Sequence, residues 1–475
     1  MPETDPPEAH GIRSLFRRSW AGATVLLGAG VSLEALEFYV TASLMPSMVR
    51  DIGGLEFMAW TTSLFVAALV LGSIAIIIRP AGMTLRQVYV IGAVIFAAGC
   101  LIVGFSPSMP VVLFGRFVQG FGAGLLVTLA YSFIRHVYPP GMQNAASAFY
   151  SALWGVATLL GPGMGGYFAH DSAWRWAFFI LIPIALLMAL VAPKLLPEGE
   201  DEREKEGVPA LQIGIIVAGI LAVSYAGNVE TTGARTLLLT AGVASLLAFV
   251  FAERRLRPRL MPEAATLFGH PLARTLSVMF LLITVLNADI FVPYFLQVLH
   301  ALTPLMAGYI VALVATGWAL AGMATASWSG RRAQGAIIAG PVLLSLAVLS
   351  LALLISQRNL EGDLVTVALV ASSLLAMGLG IGTGWAHLVS LVITLGDGPE
   401  ADKASAAINL VPSIAAAFGA ALAGVIANTA GLVEPGGVEG ASAAAFWLYA
   451  LMALPAAAAF LVAIVIVRRQ RVDTA

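Results

Sequence analysis

Leu153-Trp154-Gly155-Val156-Ala157-Thr158-Leu159-Leu160-Gly161-Pro162-Gly163-Met164-Gly165-Gly166-Tyr167 is the stretch on which the reading of this chain turns. Gly155, Gly161, Gly165 and Gly166 sit with Pro162 inside a long apolar segment that carries no charge. In a water-exposed helix each glycine would weaken the structure, and the proline would delete a hydrogen bond and clash with the preceding turn. Inside a bilayer the same residues have a use. Small side chains let two helices approach closely, and neighbouring helices or waters satisfy the backbone groups that proline frees. The segment reads as a kinked helix-contact surface between moving halves.

Composition extends that reading to the whole chain. Of 475 residues, 59% are hydrophobic and only 11% are charged, with mean hydropathy +0.92. These values describe an all-α polytopic membrane protein, not a water-soluble domain. Net charge is near zero and no basic patch suggests nucleic acid. The single cysteine, Cys100, excludes an internal disulfide, and the six histidines have no metal-ligand spacing. Lysine occurs only at Lys194, Lys205 and Lys403, none preceded by glycine, so the chain has no Walker A loop and cannot itself be the ATPase of a primary pump. No cofactor is expected, and energy would come from a gradient, or not at all.

Windows of about 20 apolar residues, the length that crosses a bilayer as a helix, can be placed fourteen times, the first at 20–48 and the last at 442–467. With the N-terminus inside, the outer segments hold only Arg50, Arg175, Arg235 and Arg358, while most of the remaining Lys and Arg fall in cytoplasmic segments. That asymmetry argues for fourteen spans with both termini cytoplasmic. The longest strongly polar interior loop follows span six and a second, basic loop follows span eight. The expected layout is a cytoplasmic N-terminal segment at 1–19, a six-helix bundle at 20–196 and an acidic loop at 197–208. A two-helix insert at 209–252, a basic loop at 253–271, a second six-helix bundle at 272–467 and a cytoplasmic tail at 468–475 follow. Outer loops are too short for an extracellular catalytic domain, and no His-Glu-x-x-His or Gly-x-Ser-x-Gly occurs, so an enzyme is not expected.

Ionisable groups within spans are costly and by default mark function. Glu34 and Glu37 in span one share a helical face at i,i+3 spacing. By the helical rise they lie about 21 Å and about 16 Å below the outer edge, near the midplane. Burial disfavours a charged carboxylate and a like charge one turn away adds to the effect, so one of the pair is suited to bind and release a proton; the alternative is a hydrogen-bonded structural acid. Arg116 in span four, roughly 9 Å below the outer edge, can reach Glu37 more readily than Glu34, either holding a carboxylate ionised until displaced or forming a fixed structural pair. Asp289 in span nine is a further candidate for coupling or for structure. Helical phase puts Thr284, Asn287, Phe291 and Tyr294 on one face and Asp289 on the opposite one. His387 could titrate, although a lone histidine is more often a structural group. Candidate substrate contacts are Tyr39, Thr41, Gln119, Tyr150, Trp154, Asn287, Phe291 and Tyr294, the aromatic faces being suited to lipophilic cations. The glycine run Gly378, Gly380, Gly382 and Gly384 follows no strand and reads as a helix-packing surface.

Three stretches resemble the major facilitator superfamily, and specifically its fourteen-span drug:proton antiporter branch. Gly161-Pro162-x-x-Gly165-Gly166 resembles the antiporter motif, with Gly155 upstream and Ala157 where the family usually has an earlier glycine. Gly115-Arg116-x-x-Gln119-Gly120-x-Gly122 resembles the buried-arginine motif, and Leu36-Glu37 through Leu44-x-Pro46-x-Met48-x-x-Asp51-Ile52-Gly53 resembles the span-one motif, with Glu37 where aspartate is common. Trp174-Arg175-Trp176 also fits the branch. The departure is the loop between spans two and three, where Ala75, Arg79, Gly82, Met83 and Thr84 replace Gly-x-x-x-Asp-x-x-Gly-Arg-Lys/Arg. With arginine in place of the latching acid, Arg79 and Arg86 are expected to find other partners.

The resemblance implies two pseudosymmetric six-helix halves, a substrate site between them near the midplane and alternating access. It also implies that the antiporter motif meets span ten, where Gly308, Gly317 and Gly322 offer small surfaces. The expected function is proton-coupled export of lipophilic compounds of cationic or amphipathic character from the cytoplasm, with Glu37 as principal proton site, Glu34 assisting and Arg116 tuning both. Protons, an amphipathic small molecule and the lipid bilayer are the expected partners, with the chain acting as a monomer in a bacterial cytoplasmic (inner) membrane. A dedicated carrier of one metabolite or lipid, and a non-transporting receptor or scaffold, are the alternatives.

Overall fold

The computed structural model describes residues 12–17, 19–80, 82–169, 173–198, 207, 209–267, 269–396 and 400–473. Much of the acidic loop at 197–208, most of the N-terminal segment and the last two residues of the tail lie outside the described residues. All regular structure among the described residues is helical.

The chain begins with a 3-10 turn, Ile12–Phe16, and then forms α1 (Ala21–Ile52), α2 (Met58–Ile78), α3 (Leu85–Gly104), α4 (Met109–Val137), α5 (Pro140–Phe168), α6 (Trp174–Phe179) and α7 (Leu181–Leu195). It continues through α8 (Ala210–Ala226), α9 (Thr232–Arg255), α10 (Pro271–Leu286), α11 (Val292–Leu299), α12 (Pro304–Thr325), α13 (Gly330–Leu354), α14 (Leu364–Leu395), α15 (Ala401–Thr429) and α16 (Gly437–Asp473). Starts and stops follow local chemistry. Thr84 and Gln87 form a reciprocal capping box at the head of α3, and Asp363 accepts from the first-turn amides of Val365 and Thr366 at the head of α14. Prolines at the first positions of α4, α5, α10 and α12 sit where a missing N–H costs nothing.

Twelve helical paths among the described residues are long and apolar enough to cross a membrane, with α6–α7 and α10–α11 each counting as one path. Two sequence windows coincide with helices outside that set. α8 has 17 residues, and α5 has 29 whose glycines, serines and prolines dilute its apolarity.

The helices divide into two compact units, Met1–Thr41 with Ala68–Lys205, and Ala42–Ala67 with Glu206–Ala475. In the first, α3 packs on α4 and α7. In the second, α14 packs between α12 and α13, and α16 lies against α13 and α10. The glycine run in α14 is a packing surface: a side chain at Gly378 or Gly382 would collide with the backbone carbonyl of Val314 or Trp318 in α12.

α8 packs on α9 and on α15. The loop after α9 is closed by polar bonds. The Oε2 of Glu253 accepts from the amides of Leu260 (3.0 Å) and Met261 (2.9 Å), Gln212 donates to the Pro258 carbonyl at 2.9 Å, and Arg259 pairs with Glu263 at 2.6 Å.

In the loop between α2 and α3, Arg79 folds back on the carbonyls of Met83 (2.8 Å) and Ile76 (3.0 Å), and Gly82 takes φ +89°, which favours glycine. Arg86, in the first turn of α3, bonds the Glu198 carboxylate at 2.6 Å and the Pro193 carbonyl at 3.2 Å, joining α3 to the last turn of α7 and the segment beyond it.

Candidate functional site

α1 and α4 bring the first cluster together in the first unit. Glu37 is wholly buried and Arg116 is 1% exposed. Arg116 donates to Oε1 of Glu37, and the Thr41 hydroxyl, one turn along α1, donates to the same oxygen at 2.7 Å. Arg116 also reaches Oε1 of Gln119 at 3.0 Å, and Gln119 in turn donates to the sulfur of Cys100 at 3.1 Å. The second carboxylate oxygen of Glu37 is buried without a hydrogen-bond partner among the described residues. Burying either charge in so dry a setting without the other would be costly.

One turn back, Glu34 also has a buried oxygen, Oε2, without a partner among the described residues. Tyr131 of α4 lies within its electrostatic reach and packs edge-on to Tyr150 of α5, with ring centroids 5.4 Å apart. The i,i+3 acids therefore have different surroundings. Glu37 is locked to an arginine, whereas Glu34 has Tyr131 nearby.

Several expected substrate contacts are committed elsewhere in this conformation. Thr41 is given to Glu37, Gln119 is fully buried between Arg116 and Cys100, and Tyr150 is fully buried with its hydroxyl 3.4 Å from the Ala130 carbonyl. Tyr39 and Trp154 are half-buried. On α5, a side chain at Gly161 would collide with Cβ of Tyr39, so α1 and α5 pack closely there, and Pro162, Gly165 and Gly166 are buried. Gly155 is exposed and a side chain there would meet nothing within 4 Å. Gly317, expected to meet the antiporter motif, approaches the Leu375 carbonyl of α14, and a side chain at Gly322 would meet nothing within 4 Å.

The second unit carries Asp289, and here the expected geometry needs correction. Span nine is not a continuous helix, because residues Asn287–Phe291 form a 3-10 segment between α10 and α11. Pro293 supplies the reason: it has no N–H for the carbonyl four residues earlier, and the Asp289 carbonyl instead accepts from Val292, three residues on. Uniform α-helical phase therefore does not hold across Asn287–Phe291, although Thr284, Asn287, Phe291 and Tyr294 are all buried and Asp289 is only half-buried. Asn287 is buried and donates to the Ile283 carbonyl at 2.8 Å. Phe291 stacks on Phe295 at 6.0 Å, and Tyr294 meets Phe295 edge-on at 6.1 Å. Asp289 is half-buried beside Tyr449 of α16, whose hydroxyl lies 3.3 Å from the Ala288 carbonyl. His387 is buried in α14 with Nε2 unpartnered among the described residues.

Sequence reasoning passed over Cys100 as the partner of Gln119, and Tyr131 and Tyr449 as neighbours of Glu34 and Asp289. Only Cys100 carried a signal, since it is the one thiol in the chain. Among the described residues no cluster of His, Cys, Asp or Glu could hold a metal ion.

The model of the Major Facilitator Superfamily matches residues 27–420. A protein of Mycobacterium tuberculosis described as a probable multidrug-efflux transporter is 35% identical over 436 residues, which covers 89% of this chain and 91% of the relative. The Multidrug transporter protein MdtP of Bacillus subtilis is 24% identical over 422 residues, 83% of this chain and 73% of the relative. Among solved structures, a bacterial homologue of the lysosomal transporter Spinster superposes with TM-score 0.65 at 14% identity, covering 94% of this chain and 97% of that one. A peptide transporter of the POT family superposes with TM-score 0.66 at 15% identity, covering 94% and 95%. At such identities these structures speak for the fold alone.

Proposed function

The chain belongs to the Major Facilitator Superfamily, and we propose that it is a proton-coupled antiporter that exports lipophilic, cationic or amphipathic compounds by alternating access. Matched relatives are transporters, not enzymes, and those named for multidrug efflux support a small-molecule substrate. The observation that carries the proton reading is the buried Glu37–Arg116 pair beside Glu34. A proton taken by Glu37 would release Arg116 and Thr41 from the carboxylate, and loss of that proton would restore the pair. Glu34, which has an unpartnered oxygen and tyrosines nearby, is placed to hold a cationic substrate or to assist the proton. Asp289, on a broken helix in the second unit, is the second coupling candidate.

In this reading the chain crosses a bacterial cytoplasmic membrane fourteen times. α5 and α8 complete the twelve long apolar paths, both termini are cytoplasmic, and the chain works as a monomer formed of two six-helix bundles and an insert. Reconstituted protein should move substrate against its gradient when a pH step is imposed, and Glu37→Gln should abolish coupling while leaving the protein folded. Full coupled transport by that variant would remove Glu37 from the mechanism. A dedicated carrier is the second reading, favoured by a 24% identical relative named Tetracenomycin C resistance and export protein of Streptomyces glaucescens. A narrow substrate profile in the same vesicles would select it.

A further inference from the structure

The end of α8 is joined by polar contacts to two other elements of the second unit. Trp60, near the start of α2, donates its indole N–H to Oδ1 of Asn228 at 3.0 Å. One turn further along each helix, Ser63 and Ser224 share a hydrogen bond of 3.1 Å and both are buried. From the other side, the amide of Asn428 in α15 donates to the Gly227 carbonyl at 3.3 Å and to the Glu56 carbonyl at 2.9 Å, the latter in the turn that leads into α2. Packing is close where they meet. A side chain at Gly227 would lie 3.3 Å from Cα of Val425, and one at Gly424 would lie 2.5 Å from Cβ of Ala59.

Lipid-facing accessory helices need only apolar contacts with their neighbours. Side-chain hydrogen bonds between helices are directional, and of those here the Ser63–Ser224 bond is buried while the Trp60–Asn228 and Asn428 bonds are part-buried. The polar bonds here lie at one end of three elements: the start of α2, the end of α8 and the end of α15. We infer that the two-helix insert is a working part of the outer gate: its Gly227–Asn228 turn latches the start of α2 to the end of α15 and holds the side away from the N-terminus shut. The inference rests on the alternating-access reading, because only a protein that opens on that side must undo these bonds. It gives the insert a role in setting the balance of conformations.

Cys100 is the only cysteine and is fully buried, so Ser47→Cys, near the outer end of α1 where the side chain is 8% exposed, provides a single reporter. A membrane-impermeant maleimide applied to the side away from the N-terminus should label this reporter about fivefold faster when Asn228→Ala is added, the effect of one hydrogen bond. Trp60→Phe keeps the ring and removes only the donor, so it should give the same acceleration and carries the test if the asparagine variant misfolds. Combining the two should add nothing, since they remove one bond. Unchanged labelling in Trp60→Phe, whether or not Asn228→Ala accelerates it, or unchanged labelling in a folded Asn228→Ala, would overturn the latch. Labelling reads opening directly, so this result is separate from whether the pH step drives transport.

Discussion

Arg116 of α4 donates to Glu37 of α1 across 79 positions of sequence, and both side chains are shut away from solvent. The two members differ in what happens when the partner is lost. A stranded carboxylate can take a proton and become neutral, whereas a guanidinium keeps its charge. Glu37→Ala should therefore destabilise the protein more than Arg116→Ala, with the glutamate variant losing about 3–5 kcal/mol. Glu37→Leu combined with Arg116→Met should recover most of that stability while remaining inactive in transport. Thermal unfolding of the four proteins in one detergent measures the cycle, and equal losses from the two single variants would contradict the asymmetry.

The contact of α5 with α1 at Gly161 leaves no room for a side chain. Gly161→Val should push Tyr39 out of place and cost about 1–3 kcal/mol by overpacking. Gly155→Ala, six residues earlier on an exposed surface, should be neutral or slightly stabilising because a helix prefers alanine. Melting temperature and turnover measured on both separate a tight contact from a general need for glycine.

Pro293 gives a case in which stability and function should part. Pro293→Ala would restore an N–H for the Asp289 carbonyl, a gain of about 1 kcal/mol. The unfolded chain would gain freedom worth about the same amount. Melting temperature should then hardly move, while the segment Asn287–Phe291 becomes regular α-helix and Asp289 turns away from Tyr449. If Asp289 takes part in coupling, proton-driven flux falls at unchanged stability. Unchanged flux would make the carboxylate structural.

Asp363 caps α14 outside the membrane-spanning segment, and bonds from the Thr366 hydroxyl and the amides of Thr366 and Val365 hold its carboxyl below the ordinary aspartate value of 3.8. Its stabilising contribution is fully present above that ordinary value and is lost as pH falls through the depressed one. Asp363→Ala should therefore speed hydrogen exchange in the first turn of α14 at neutral pH. The difference from the parent should close in strong acid, and a difference that persists there would assign the effect to something other than the charged cap.

Hydropathy made the helices legible because crossing a bilayer demands long apolar runs, and Glu34, Glu37 and Arg116 stood out as charges inside them. Which side chains face one another was far less legible. Along a helix that is apolar on every side, a sequence pattern hardly distinguishes a lipid face from a packed one. Gln119 therefore read as a cavity residue until Arg116 and Cys100 were found to occupy it. The break at Asn287–Phe291 was hidden for a different reason. A proline marks a disturbed turn, but whether the helix kinks or tightens into 3-10 depends on its neighbours. The bonds from Trp60 to Asn228 and from Asn428 to Gly227 join residues 168 and 201 positions apart. No local signal predicts such pairs.

The boundary between the two compact units crosses α1 at Thr41 and Ala42. Pro46, four residues beyond Ala42, cannot donate to the Ala42 carbonyl, so the helix is loosened at that turn. The Thr41 hydroxyl there is held by Glu37. A stiff rod with one soft joint is a lever. From Ala42 to the end of α1 at Ile52 the arm is about 15 Å, so a ten-degree bend at the joint would carry the tip by roughly 2.6 Å. If Glu37 exchanges a proton as proposed, the exchange would act beside that fulcrum, where a rearrangement the size of one hydrogen bond would be multiplied into displacement at the far end of the helix.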